Sequence, residues 1–281
     1  GRMHRARYML ESNYDRLATF SDADVPKRVE YQAEMRTYGG FVYVAFGEGF
    51  CGTPLDGDGV VHTPTELLQI AVNQFTEAIT LAGTSRPDLV NAARIGRARA
   101  YLDLEQYGLA ITDAMAVVDN LDFYATRENG IGRREGSMAD TNELDTSQQA
   151  TLATSYHVVQ WNGVDDPRVN AINTGLTGHN GQTIVWRHDR TSGVYAADSG
   201  VDVIVASYDE AQLFIAEASA MSGDLPTAIG ILDAFHTAAG IPPVTAVDLP
   251  TQDDVIRHVI EERRRQLFVT GGHRQRDHLR W

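Results

Sequence analysis

The stretch "ARAYLDLEQYGLAITDAMAVV", Ala98 to Val118, returns 118 positions later as "AEASAMSGDLPTAIGILDAFH", Ala216 to His236. In this register Ala98 meets Ala216, Ala100 meets Ala218, Ala110 meets Ala228 and Ile111 meets Ile229. Small residues on one helix face let a second helix approach closely. The short breaks "EQY", from Glu105, and "SGD", from Ser222, fall where each helical hairpin must turn. Two helix-turn-helix units of one design are therefore expected.

Against the tetratricopeptide pattern, Ala98 and Tyr101 take the small and aromatic positions of the first helix, and Ala110 the alanine of the second. In the later unit Ala216 and Ala228 match, while Ser219 replaces the aromatic. Helical periodicity extends upstream. From Tyr31 to Phe46, apolar residues recur at three- and four-residue spacing, interrupted by Gly39 and Gly40, which are read as points of close packing. "TPTE", Thr63 to Glu66, offers a capping box with proline at the first helical position. The helix it starts, Glu66 to Leu81, carries Leu68, Ala71, Phe75, Ala78 and Ile79 on one face and is read as the second half of a further, degenerate unit.

The 281 residues carry 38 acidic against 24 basic side chains, a net charge of -14 that repels a phosphate backbone and argues against nucleic acid as a partner. Cys51 is the single cysteine, so no internal disulfide can form, and a small buried side chain is expected there. No apolar run approaches the ~18 residues needed to span a bilayer.

Residues 121–205 read differently from the helical scaffold assigned to 1–120 and 206–281. Rich in Gly, Asn, Thr and Asp, they predict loops with a few short strands, such as "TIVWRH" and "VDVIVAS". An insertion this long between packed hairpins is a candidate for function. It holds Trp161 and Trp186, near Tyr156 and Tyr195. With Asn162 and Arg187, these four rings offer a platform for a sugar, whose flat C–H faces stack on aromatic rings while amide and guanidinium groups meet its hydroxyls. The competing expectation is a small satellite core beneath the loops.

The last helix is announced by Thr251 and Asp254, a capping pair, with Asp253 and Asp254 in its first turn and Arg263 to Arg265 in its last. The arginines are expected to pair with acids of this helix and of neighbouring hairpins, and Trp281 to pack back as a plug. "EERRRQLFVTGGHRQRDHLRW", Glu261 to Trp281, resembles the C-terminal signature of the SusD/RagB family. "IPPVTAVDLPTQDDVIRHVI" is similar to that family's lead-in, and "AEMRTYGGFVYVAFGEGFCGTPL" to its early helix. Val269, Thr270, Gln275, Arg276 and His278 depart from the pattern.

The resemblance implies a mainly α fold: SusD-like, tetratricopeptide-like hairpins forming one domain, 1–281, with a loop-rich insertion. It further implies a cell-surface lipoprotein of the outer membrane that binds oligosaccharide or peptide and works with a SusC-like TonB-dependent transporter, its lipid anchor known from the family alone. A helical-repeat scaffold without a small ligand is the alternative. No phosphate-binding loop, nucleophile elbow or His-Glu-x-x-His pattern appears, and adjacent acids such as Asp165 and Asp166 do not face one another across a cleft as a glycosidase requires. Neither catalysis, nor a cofactor, nor a metal site is expected; His188, His273 and His278 lack partners at ligand spacing.

Overall fold

The computed structural model describes residues 1–57, 59–126, 151–188, 202–268 and Asp277. Among them are eight α-helices: α1 (Arg2–Ala18), α2 (Arg28–Gly49), α3 (Pro64–Ala82), α4 (Pro87–Asp103), α5 (Tyr107–Met115), α6 (Tyr208–Met221), α7 (Leu225–Ala239) and α8 (Gln252–Gln266). The strands are short: β1 (Thr53–Pro54), β2 (Val61–His62), β3 (Asp122–Ala125), β4 (Gln160–Trp161), β5 (Val164–Asp165), β6 (Ala171–Thr177), β7 (Ile184–His188) and β8 (Val203–Ser207). They pair as β1 with β2, β3 with β8, β4 with β5 and β6 with β7, all antiparallel. The fold is mainly α, as the periodicity predicts.

The repeat is reproduced bond for bond. At the end of α4, Leu104 N–H donates to Ala100 O at 3.0 Å and Gln106 N–H to Tyr101 O at 2.8 Å. At the end of α6, Ser222 N–H donates to Ala218 O at 3.0 Å and Asp224 N–H to Ser219 O at 2.9 Å. Each pair satisfies carbonyls the helix end would otherwise leave unpaired. Ala98, Ala110, Ala216 and Ala228 are fully buried, so the small residues line the helix contacts.

Upstream of these hairpins, α2 packs on both α1 and α3. Thr63 and Glu66 form the expected capping box, and Pro64 is the first helical residue. Phe75 of α3 is buried between glycines of two other helices: a Cβ on Gly40 would lie 2.5 Å from its ring, and one on Gly96 only 2.2 Å. Gly40 thus allows close packing, the role expected of it. Arg99 of α4 ties three helices together, donating to Glu48 of α2 through Nε (2.6 Å) and Nη2 (3.1 Å) and to Glu210 of α6 through Nη1 (3.3 Å).

Cys51 departs from expectation. It lies just past the end of α2, in the turn leading to β1, and its side chain is exposed rather than buried. The insertion is closed at its base by β3 and β8, with Asp122 opposite Ser207 and Tyr208 N–H donating to Leu121 O at 2.8 Å. The chain therefore leaves and re-enters the helical scaffold through one paired neck.

Candidate functional site

Residues 160–168 are held on α8 by a largely buried ionic cluster. The pivot is Asp166, whose carboxylate accepts from Arg168 Nε (2.9 Å) and Nη2 (2.7 Å). Arg265 of α8 adds Nη1 at 3.5 Å, and its Nη2 donates to Gln160 O at 3.3 Å. Arg168 Nη1 in turn meets Glu262 and, at 3.0 Å, Gln266 Oε1. Burial alone would raise the Asp166 carboxyl, but its bonds from Arg168, helped by Arg265, outweigh burial and hold it below the ordinary range.

The arginine run of α8 is accordingly divided among three tasks. Arg263 reaches Asp277 (Nη2, 2.8 Å) and Glu217 of α6 (Nη1, 3.6 Å), both buried. Arg264 pairs with Glu261 on its own helix (Nη2, 2.5 Å) and donates to Ser155 O (2.8 Å). Arg265 goes to the insertion. Pairing with the helix's own acids and with the hairpins was expected; the link to Asp166, 99 positions upstream, has no local sequence signal. Trp281 lies outside the described residues.

Of the six proposed ligand residues, Trp161 is taken up by the scaffold. Its half-buried ring packs edge-on against His258 (4.5 Å) and His236 (5.4 Å), and its Nε1–H donates to Pro243 O at 3.3 Å. Asn162 is exposed and sits with Gly163 at the tip of the β4–β5 hairpin, at φ 47° and 80°. Those angles suit a two-residue hairpin turn, for which Asn-Gly is the favoured pair. The "NG" between Trp161 and Val164 is a local signal that could have disclosed this hairpin.

Trp186 of β7 is half-buried and stacks on His157, centroids 3.9 Å apart and planes 11° from parallel. Thr151 Oγ1 accepts from Trp186 N–H at 2.7 Å, and Leu152 N–H donates to Trp186 O at 3.0 Å, so the strand edge is tied to residues 151–152. Beside His157, Tyr156 stacks on Phe268 at 5.2 Å, with the Arg264 guanidinium 5.1 Å from its ring centre. Arg187 follows Trp186 in β7 and projects to the opposite face of the strand. Tyr195 lies outside the described residues. Trp186 and Tyr156 thus each stack on a further ring, His157 and Phe268 respectively, neither of which stands out in the sequence, and the two stacks are linked through the consecutive residues Tyr156 and His157.

Under Trp161, His236, His258 and Glu262 come together from α7 and α8, all buried. Burial pushes the His258 imidazole down to about 4. Glu262 follows His258 by four positions, about one helical turn, a spacing that could have drawn attention to the pair.

No curated protein matches the chain. Among solved structures, a SusD-like carbohydrate binding protein from Bacteroides vulgatus ATCC 8482 superposes with TM-score 0.72 at 16% identity, covering 99% of this chain and 67% of that one. A SusD-like carbohydrate binding protein from Bacteroides fragilis NCTC 9343 gives 0.65 at 16% identity over 100% of this chain and 71% of that one. A SusD superfamily protein from Parabacteroides distasonis ATCC 8503 gives 0.67 at 12% identity over 99% and 72%. At such identities these likenesses establish the shared fold. The model of the SusD family matches residues 131–281, more than half of the sequence, and this chain belongs to that family.

Proposed function

We propose that this chain is a nutrient-binding protein of the cell surface that takes an oligosaccharide, or alternatively a peptide, and delivers it to a TonB-dependent transporter of the outer membrane. Family membership supports the nutrient-binding role. The observation that carries the choice of site is the parallel stack of Trp186 on His157 at 3.9 Å, half-buried and tethered by Thr151, a rigid aromatic surface placed outside the helical core. A pyranose ring binds such a surface through its C–H face. Tyr156, next to His157 in the chain, extends the platform, while Asn162 at the tip of the β4–β5 hairpin and Arg187 on the opposite face of β7 lie outside the ring stack.

A binding role rather than catalysis also suits the carboxylates of this region. Asp166 and Glu262 are both engaged by Arg168, which leaves neither poised as a general acid.

Calorimetric titration against a panel of oligosaccharides and peptides tests the reading. A ligand from that panel is expected to bind, and Trp186→Ala to weaken it by about 10-fold or more, roughly 1.4 kcal/mol, with the melting temperature preserved. Trp161→Ala, by contrast, is expected to lower the melting temperature, because it opens a cavity against α7 and α8. Unchanged ligand affinity in Trp186→Ala removes this site from the proposal. Binding of nothing in the panel favours the scaffold alternative.

A further inference from the structure

We infer that His236, His258 and Glu262 form a binding site for one divalent cation of the zinc class, seated between α7 and α8 beneath Trp161. His236 comes from the last turn of α7, while His258 and Glu262 come from consecutive turns of one face of α8. Their donor atoms all lie within 4.8 Å of one another. His236 Nε2 is 3.3 Å from His258 Nε2 and 3.1 Å from Glu262 Oε2. Ligand atoms held at ~2.0–2.1 Å by a tetrahedral ion stand roughly 3.3 Å apart, so these two separations are those of ligands around a common centre.

The accounting of protons leads to the same place. Pro242 O only accepts, so its 2.9 Å bond to His236 Nδ1 puts a proton on that nitrogen. In the neutral ring Nε2 then presents a lone pair to the Glu262 carboxylate and to His258 at once. A single added proton can serve one of those two contacts well; a cation serves all three donor atoms together. An imidazole whose far N–H is fixed by a backbone carbonyl is the usual outer support of a metal-binding histidine. Arg168 on the other Glu262 oxygen orients the carboxylate in the same way, although its positive charge works against affinity.

Two imidazoles with one carboxylate suit zinc and its neighbours, whereas calcium and magnesium take oxygen ligands almost throughout. Three protein ligands leave one tetrahedral position for water. Because Glu262 also holds Arg168, and Trp161 covers both imidazoles, cation binding here would couple the two last helices to the docking of residues 160–168.

The full chain, treated with chelator and dialysed, is titrated with Zn²⁺ and with Co²⁺. One equivalent is expected to bind, with the visible bands of tetrahedral Co²⁺ and a zinc-dependent rise in melting temperature. His258→Gln is expected to weaken Zn²⁺ binding by about 100-fold, at least what the loss of an outer-shell partner costs, while His179→Gln, at an exposed position, leaves it unchanged. If the buried His258 variant does not fold, the Co²⁺ spectrum of the parent decides between tetrahedral and octahedral coordination. No stoichiometric binding, an octahedral spectrum, or a folded His258→Gln that binds as the parent does would overturn the assignment and leave the His236–Glu262 contact as a structural pair.

Discussion

Glu105 and Gly223 stand 118 residues apart and occupy the same backbone position, with φ of 59° and 85°, at the turn closing the first helix of each repeat hairpin. A left-handed conformation costs an L-residue ~1–2 kcal/mol, part of which glycine's larger unfolded-state entropy, ~0.5–1 kcal/mol, gives back. Glu105→Gly is therefore expected to stabilise the protein by roughly 0.5–1 kcal/mol, and Gly223→Ala to destabilise it by a similar amount. Urea denaturation of both variants checks the pair. A destabilised Glu105→Gly would mean that the Glu105 side chain holds the turn.

Phe75 supplies a sharper test of packing. Neither glycine facing it can accept a methyl group without displacing the ring, since the added Cβ would sit 2.2 Å from Phe75 Cζ at Gly96 and 2.5 Å from Cε1 at Gly40. Gly96→Ala is expected to cost about 1–3 kcal/mol through overpacking, despite alanine's better helix propensity of ~1 kcal/mol. Phe75→Leu in the same chain should recover part of that loss. Additive costs in the double variant would show that the ring is not what the methyl meets.

These two relationships differ in how far the sequence revealed them. The hairpin pair was legible because a turn between two amphipathic helices is local, and its residues recur at a fixed offset. Gly40 was legible as a close-packing residue, but Phe75 as its neighbour was not, since the contact joins helices. The same limit governs the site. The aromatic residues of the insertion could be picked out by type, yet nothing local separates Trp161, whose ring packs on two helix histidines, from Trp186, whose ring stacks on His157. Nor did the run from Arg263 to Arg265 disclose that Arg265 anchors Asp166.

Asp209 gives the pH dependence a direction. It lies in the first turn of α6, and burial raises its pKa; the Gln266 hydrogen bond (2.6 Å) works the other way, and the nearby Asp122 and Asp119 add to the rise. A raised carboxyl means that the ionised form is less favoured in the folded chain. The resulting penalty is present above the folded pKa and fades as pH falls through it towards the unfolded value near 3.8. Asp209→Asn removes the penalty while Glu210 keeps a negative charge in that turn. The variant is expected to match or exceed the parent at pH 7, with the advantage shrinking as pH approaches 4, measured by denaturation across that range. A variant less stable at pH 7 would show that the Gln266 bond or the helix dipole outweighs burial.

Arg168 and Arg264 both join the insertion to α8, and burial sets their expected worth apart. Arg168 meets Asp166 and Glu262, whose side chains have no exposed surface, so Arg168→Ala takes the nearest cation from two buried carboxylates and leaves Asp166 only Arg265 at 3.5 Å and Glu262 only His236 at 3.1 Å. Breaking a buried pair in this way typically costs ~3–5 kcal/mol. The Glu261 partner of Arg264 is 40% exposed, and such a pair contributes ~0–1 kcal/mol, to which the bond to Ser155 O adds about 1 kcal/mol. Measured by urea denaturation in chelator-treated buffer, Arg168→Ala is expected to lose more stability than Arg264→Ala by about 2 kcal/mol or more. Faster hydrogen exchange at Asp166, Arg168 and Val169 should accompany that loss, because the bonds of these three amides are all made by Asp166. Equal losses for the two variants, or exchange confined to the end of α8, would show that the insertion is kept in place by its aromatic contacts instead.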